Sequence, residues 1–71
     1  MAFDYAKLRG RIIEKFGSQR EFSKRLGIPN ASLSRKMQGK CLFRQDEMYK
    51  MRDLLGIEEG KMEDYFFSVK N

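Results

Sequence analysis

Apolar residues recur along this chain at spacings of three and four, punctuated by glycines, and that rhythm predicts a series of short helices. Tyr5, Leu8, Ile12 and Phe16 form the first stripe. A core-facing helix is therefore expected over about 5–16, with Asp4 as its N-cap and Gly17 ending it. Ser18 and Glu21 stand as a capping box, in which each side chain satisfies a free backbone N–H at the other residue. Phe22 and Leu26 give the second helix its inward pair, and Gly27 closes it. Ile28, Pro29 and Asn30 read as a turn, because proline disfavours the helical conformation in the residue before it. A third helix is predicted over about 30–38, with Leu33 and Met37 inward and Gly39 at its end. Lys40 to Phe43 is a loop. A fourth helix, about 45–55, turns Met48, Met51, Leu54 and Leu55 inward; Gly56 caps it and Ile57 folds back onto the core. A fifth, about 59–66, pairs Met62 with Phe66, and the alternation Phe67-Ser68-Val69 predicts a short terminal strand. The expected class is all-α, a compact bundle of four to five helices.

Composition narrows what holds such a bundle together. With 71 residues the chain suffices for one domain, 1–71, with one modest core, and at this size burial and chain entropy nearly cancel. Cys41 is alone and histidine is absent, which excludes a stapling disulfide and the usual four-ligand structural zinc site. Helix packing, self-association or both must supply the stability. The methionines, Met37, Met48, Met51 and Met62 among them, are expected as core filler, and Cys41 as a small filler or idle thiol. No apolar run approaches the roughly 20 residues that span a bilayer. MAFDYAKL lacks the apolar stretch of a secretory leader. An unpaired cysteine suits a reducing compartment, so a cytoplasmic protein without membrane contact is expected.

Charge adds a polarity. The net charge is +5, but residues 1–44 hold 11 Lys/Arg against three acids, a balance of +8, while residues 45–71 hold four against seven, a balance of −3. The basic two-thirds invites a polyanion, and the acidic remainder argues against indiscriminate coating. Catalysis has little to stand on: the usual general base near neutral pH is missing and Cys41 has no evident activator. Asp46-Glu47 and Glu58-Glu59 fall near helix starts, where negative charge favours the helix dipole. No enzyme is expected.

The second and third predicted helices, Gln19–Leu26 and Asn30–Gln38, satisfy the internal logic of a helix-turn-helix over 18–39. Ser23 is small where the helices cross, Gly27 supplies a positive φ, Ile28 plugs the core below the turn, and Leu33 anchors the second helix. The run SQREFSKRLGIPNASLSRKMQGK, residues 18–40, resembles the phage Cro and repressor-type helix-turn-helix domains. It is also similar to bacterial regulators named for the xenobiotic response element. The leading helix and the segment FRQDEMYKMRDLLGI extend the likeness to about 5–57, and the tail EDYFFSVK is similar to those of small Cro-like regulators. The resemblance implies a lambda-repressor-like bundle that binds double-stranded operator DNA, usually as a homodimer, without a cofactor.

Carried over by position, the third helix becomes the reading helix in the major groove. Asn30, Ala31, Ser34 and Arg35 face outward as base contacts, Arg35 suited to guanine and Asn30 to adenine. Gln19, Ser32, Gln38, Lys40 and Arg44 become phosphate contacts. The sequence departs from the pattern at three places. Pro29 replaces the usual hydroxyl N-cap, so Asn30 either caps the helix or touches a base. Lys36 takes a commonly apolar position, which passes its packing to Met37. Arg44 replaces a capping hydroxyl before the fourth helix, which favours a phosphate contact. Arg35 and Lys36 can also be read as plain solvated charges.

Three consecutive large aromatics exceed what one helix face buries. Tyr65, Phe66, Phe67 and Val69 are therefore expected as a dimer or partner contact within 58–71, with ordinary core as the alternative. On that expectation, removing Tyr65–Asn71 leaves a folded monomer. The leading functional reading is a Cro-like repressor that reads its operator through residues 30–35. The alternative is a modulator or antirepressor that keeps the fold and grips a partner repressor through the C-terminal segment. A DNA-binding antitoxin is a third, weaker reading.

Overall fold

Each apolar stripe folds into a helix. The computed structural model describes residues 3–69, with α1 (Ala6–Phe16), α2 (Gln19–Leu26), α3 (Asn30–Met37), α4 (Gln45–Leu55) and α5 (Met62–Phe66). Helix α1 starts one residue later than expected. Tyr5 takes the N-cap position, and the carboxylate of Asp4 accepts from the Ala6 amide at 2.9 Å from one residue further out. Only half of the predicted capping box at α2 forms. Ser18 Oγ accepts from the Glu21 amide at 3.1 Å, while the Glu21 carboxylate turns to Lys24 at 3.2 Å.

Gly27 adopts φ +87°, in the left-handed region that side chains resist, and its amide donates to Ser23 O at 2.9 Å. That single residue turns the chain from α2 into α3. Ser23 is buried at the crossing, where its hydroxyl donates to Arg20 O at 2.7 Å and so needs no other partner. Helix α2 packs on α1, α3 and α4, and α1 also packs on α4 and α5.

Leu8 and Ile12 of α1, Phe22 and Leu26 of α2, Leu33 and Met37 of α3, and Met51 and Leu55 of α4 meet in one core, completed by Tyr5, Ile57 and Phe66. Met48, Leu54 and Met62 pack against its edge, so the four methionines named above serve as filler. Arg11 links α1 to the end of α4, donating to Leu55 O at 2.9 Å and Gly56 O at 3.3 Å, carbonyls that the helix itself leaves free.

The C-terminal part departs most from expectation. Gly60 at φ +89° and a turn closed by the Lys61 amide on Glu58 O at 3.0 Å delay α5 to Met62. The expected strand over 67–69 reduces to one antiparallel bridge between Phe3 and Val69, with the Asp4 amide donating to Ser68 O at 2.7 Å. A single pairing pins the two ends of the chain together without making a sheet. Among the described residues no helix is long and apolar enough to cross a membrane.

Candidate nucleic-acid and partner interface

Helix α3 stands against α2 and is anchored from below by Leu33 and Met37, both buried. Pro29 takes its N-cap position in an extended conformation (φ −59°, ψ 142°) and has no side-chain oxygen to offer the first amides. Asn30 does not supply one either. Its Oδ1 accepts from Gln19 Nε2 at 3.0 Å, and the same nitrogen donates to Ser34 Oγ at 2.8 Å. An amide group has two hydrogens, and both are engaged here. Gln19 thus bridges the two helices of the motif, with both amide hydrogens engaged inside the protein. Asn30 and Ser34 are half-buried beside it and act there as acceptors, so the Asn30 amide hydrogens and the Ser34 hydroxyl hydrogen are not used in this bridge.

The other expected positions divide by exposure. Ala31, Arg35, Gln38, Lys40 and Arg44 are exposed and Ser32 is half-buried. Arg35 and Lys40 form no ion pair among the described residues, whereas Arg44 Nε lies 3.3 Å from Asp46. Both members of that pair are largely solvated, so the attraction is weak and leaves Arg44 free to exchange partners. With Arg20, Lys24 and Arg25 of α2 also exposed, the motif presents a basic surface on which Glu21 is the exposed acid.

Lys36 behaves differently from either reading of it. It is not a solvated charge but an inward ion pair with Glu47 of α4, with side chains 14% and 13% exposed. Glu47 Oε1 also accepts from the Arg44 amide at 2.8 Å and so caps α4 from its third position. The pair ties the end of α3 to the start of α4 across the loop between them. Its sequence signal was a lysine at a position that is commonly apolar, with the partner eleven residues away on another helix.

The expected contact set at the C-terminus separates. Phe66 is 1% exposed and belongs to the core, edge-on to Phe43 at 5.7 Å, so it is not available to a partner. Tyr65 is half-buried with Lys7 Nζ 5.0 Å above its ring. Phe67 and Val69 remain at the surface, about half exposed. Residues 70 and 71 of the expected segment lie outside the described residues. Leu42, in the α3–α4 loop, is the most exposed large apolar residue described, and the sequence reading passed over it because a single loop leucine carries no period. Among the described residues, no cluster of three or more Cys, Asp or Glu stands where it could hold a metal ion.

Comparison with known proteins bears on what this surface serves. The model of a family described as protein of unknown function (DUF739) matches residues 1–69. No curated protein matches in sequence. Among solved structures, the fold is similar to the solution structure of the modulator of repression (MOR) of the temperate bacteriophage TP901-1 from Lactococcus lactis. The identity is 33%, the TM-score is 0.82, and the alignment covers 94% of this chain and 90% of that one. Both likenesses run almost end to end, through the motif and the C-terminal segment together, and the chain therefore belongs to the DUF739 family, proteins of unknown function.

Proposed function

We propose that this protein is a modulator of repression in a phage or prophage, acting by contact with a partner repressor on a helix-turn-helix frame. The observation that carries the reading is the likeness to the modulator of repression of phage TP901-1, 33% identical over 94% of this chain. The reading helix supports it. Gln19 engages the acceptor oxygens of Asn30 and Ser34, and Glu47 holds Lys36, so Arg35 and Ala31 are the exposed side chains that α3 presents. One arginine and one methyl form a thin base-reading set. The test mixes purified protein, operator DNA and the helix-turn-helix repressor encoded beside this protein's own gene in a gel-shift titration. The modulator alters the repressor's shift and produces none alone. A specific shift by the protein alone, with no effect on the repressor, defeats the reading.

A second reading, direct operator binding in the Cro-like manner, is favoured by Arg35, exposed and without an ion pair among the described residues, and by the exposed basic residues of the motif. It predicts that Arg35→Ala removes operator preference, at about 1–3 kcal/mol. Lys40→Ala would instead weaken all DNA alike and lower the salt slope by roughly one. Fluorescence anisotropy on specific and scrambled duplexes at two salt concentrations separates the two. An Arg35→Ala protein with an unchanged ratio of specific to non-specific affinity eliminates α3 as a reader.

A further inference from the structure

The N-terminal segment, the α3–α4 loop and the residues after α5 together form one face with two adjoining grooves, which share Phe3, Tyr5 and Leu42. One groove runs past Met37 and Gln38 at the C-terminal end of α3, and the other is lined wholly by apolar and aromatic side chains, Met48 and Phe67 among them. Leu42 stands 76% exposed at their junction, Phe67 is 47% exposed, and Val69, bridged to Phe3, is 46% exposed. Three of the five exposed large apolar residues described, Leu42, Phe67 and Val69, thus belong to this face, while Ile13 and Tyr49 lie outside both grooves.

We propose that this face docks the partner repressor and takes from it an apolar helix face bordered by carboxylates. The inference rests on the modulator reading above. Electrostatics select the occupant. Arg9 lines the first groove and Lys40 lies two residues before Leu42 in the same loop; both are exposed, and neither has a carboxylate partner among the described residues. The one carboxylate in the groove, Asp4, accepts from the Ala6 amide. An acidic border on the occupant completes this rim, whereas a second copy brings a net charge of +5 of its own. DNA finds leucine, phenylalanine and valine where its phosphates need donors. Size agrees: one largely exposed and two half-exposed side chains make a small centre of contact, but not the larger apolar area of an obligate dimer. Because the first groove reaches the end of α3, a docked partner abuts the reading helix.

The test is calorimetric titration of the intact protein and its variants with the helix-turn-helix repressor encoded beside its gene. Leu42→Asp and Phe67→Asp each lower affinity about 30-fold or more, as expected of central contacts, and the melting temperature of Leu42→Asp stays at the wild-type value. Arg9→Glu lowers affinity about tenfold at low salt, and the deficit shrinks as salt rises. If Phe67→Asp also disturbs folding, Leu42→Asp decides the matter, since its side chain is three-quarters solvated already. Wild-type affinity in Leu42→Asp, with the wild type binding normally, overturns the docking face and leaves the modulator reading intact. A wild type that does not bind the repressor overturns both. Sedimentation that shows a wild-type dimer dissociated by Leu42→Asp assigns the face to a second copy and overturns the proposal.

Discussion

Alanine in place of Phe66 is expected to lower the unfolding free energy by about 3–5 kcal/mol, the cost of emptying a buried phenylalanine site. A domain of 71 residues has little more than that in hand. Phe66 is 1% exposed and meets Phe43 edge-on at 5.7 Å, and Phe43 in turn meets Tyr5 at 5.3 Å, so Phe66 closes an aromatic chain that joins three separate segments. Removing Tyr65–Asn71 is therefore expected to unfold the protein, in place of the folded monomer that the sequence reading anticipates. Phe67→Ala is the control. Its side chain is about half exposed, and its loss is expected to shift stability by well under the Phe66 value. Urea unfolding followed by circular dichroism measures all three. A truncated chain with a cooperative transition at the wild-type midpoint would sink the assignment of Phe66 to the core.

The second large effect lies in the Lys36–Glu47 pair. Glu47→Leu is expected to destabilise by about 2–4 kcal/mol, because it strands a lysine ammonium that water barely reaches. The double variant Lys36→Met/Glu47→Leu removes the stranded charge with its partner and is expected to return to within about 1 kcal/mol of wild type. The residual is the lost cap, since Glu47 Oε1 also accepts from the Arg44 amide at 2.8 Å. A double-mutant cycle under urea reads the coupling directly. High salt should erode it little, because the pair is mostly withdrawn from solvent. Additive costs in the cycle would mean that the two side chains do not depend on one another.

The family likeness leaves the frame and the use of the frame as separate questions. A helix-turn-helix fold positions a surface, and its chemistry decides what that surface holds. In this protein the donors of Gln19 turn inward and Lys36 is neutralised by Glu47, while Leu42, Phe67 and Val69 stay in water.

Most helix positions were legible in the sequence because the signals that set them are local. Leu8 and Ile12, Phe22 and Leu26, and Leu33 and Met37 face inward through the 3.6-residue period alone. Gly27 ends α2 because of its own backbone freedom, and the charge polarity follows from counting. What the tertiary structure decided concerns residues whose local signals tie. Tyr65, Phe66 and Phe67 are equivalent as consecutive aromatics, and the single ring that enters the core is chosen by where α1, Tyr5 and Phe43 leave room. Lys36 finds Glu47, and Gln19 finds Asn30 and Ser34, across 11 to 15 residues of sequence, distances no helical period spans. Leu42 is left in solvent because its neighbour Phe43 is the loop residue that turns inward against Tyr5 and Phe66, a matter of how the helices meet rather than of any one of them.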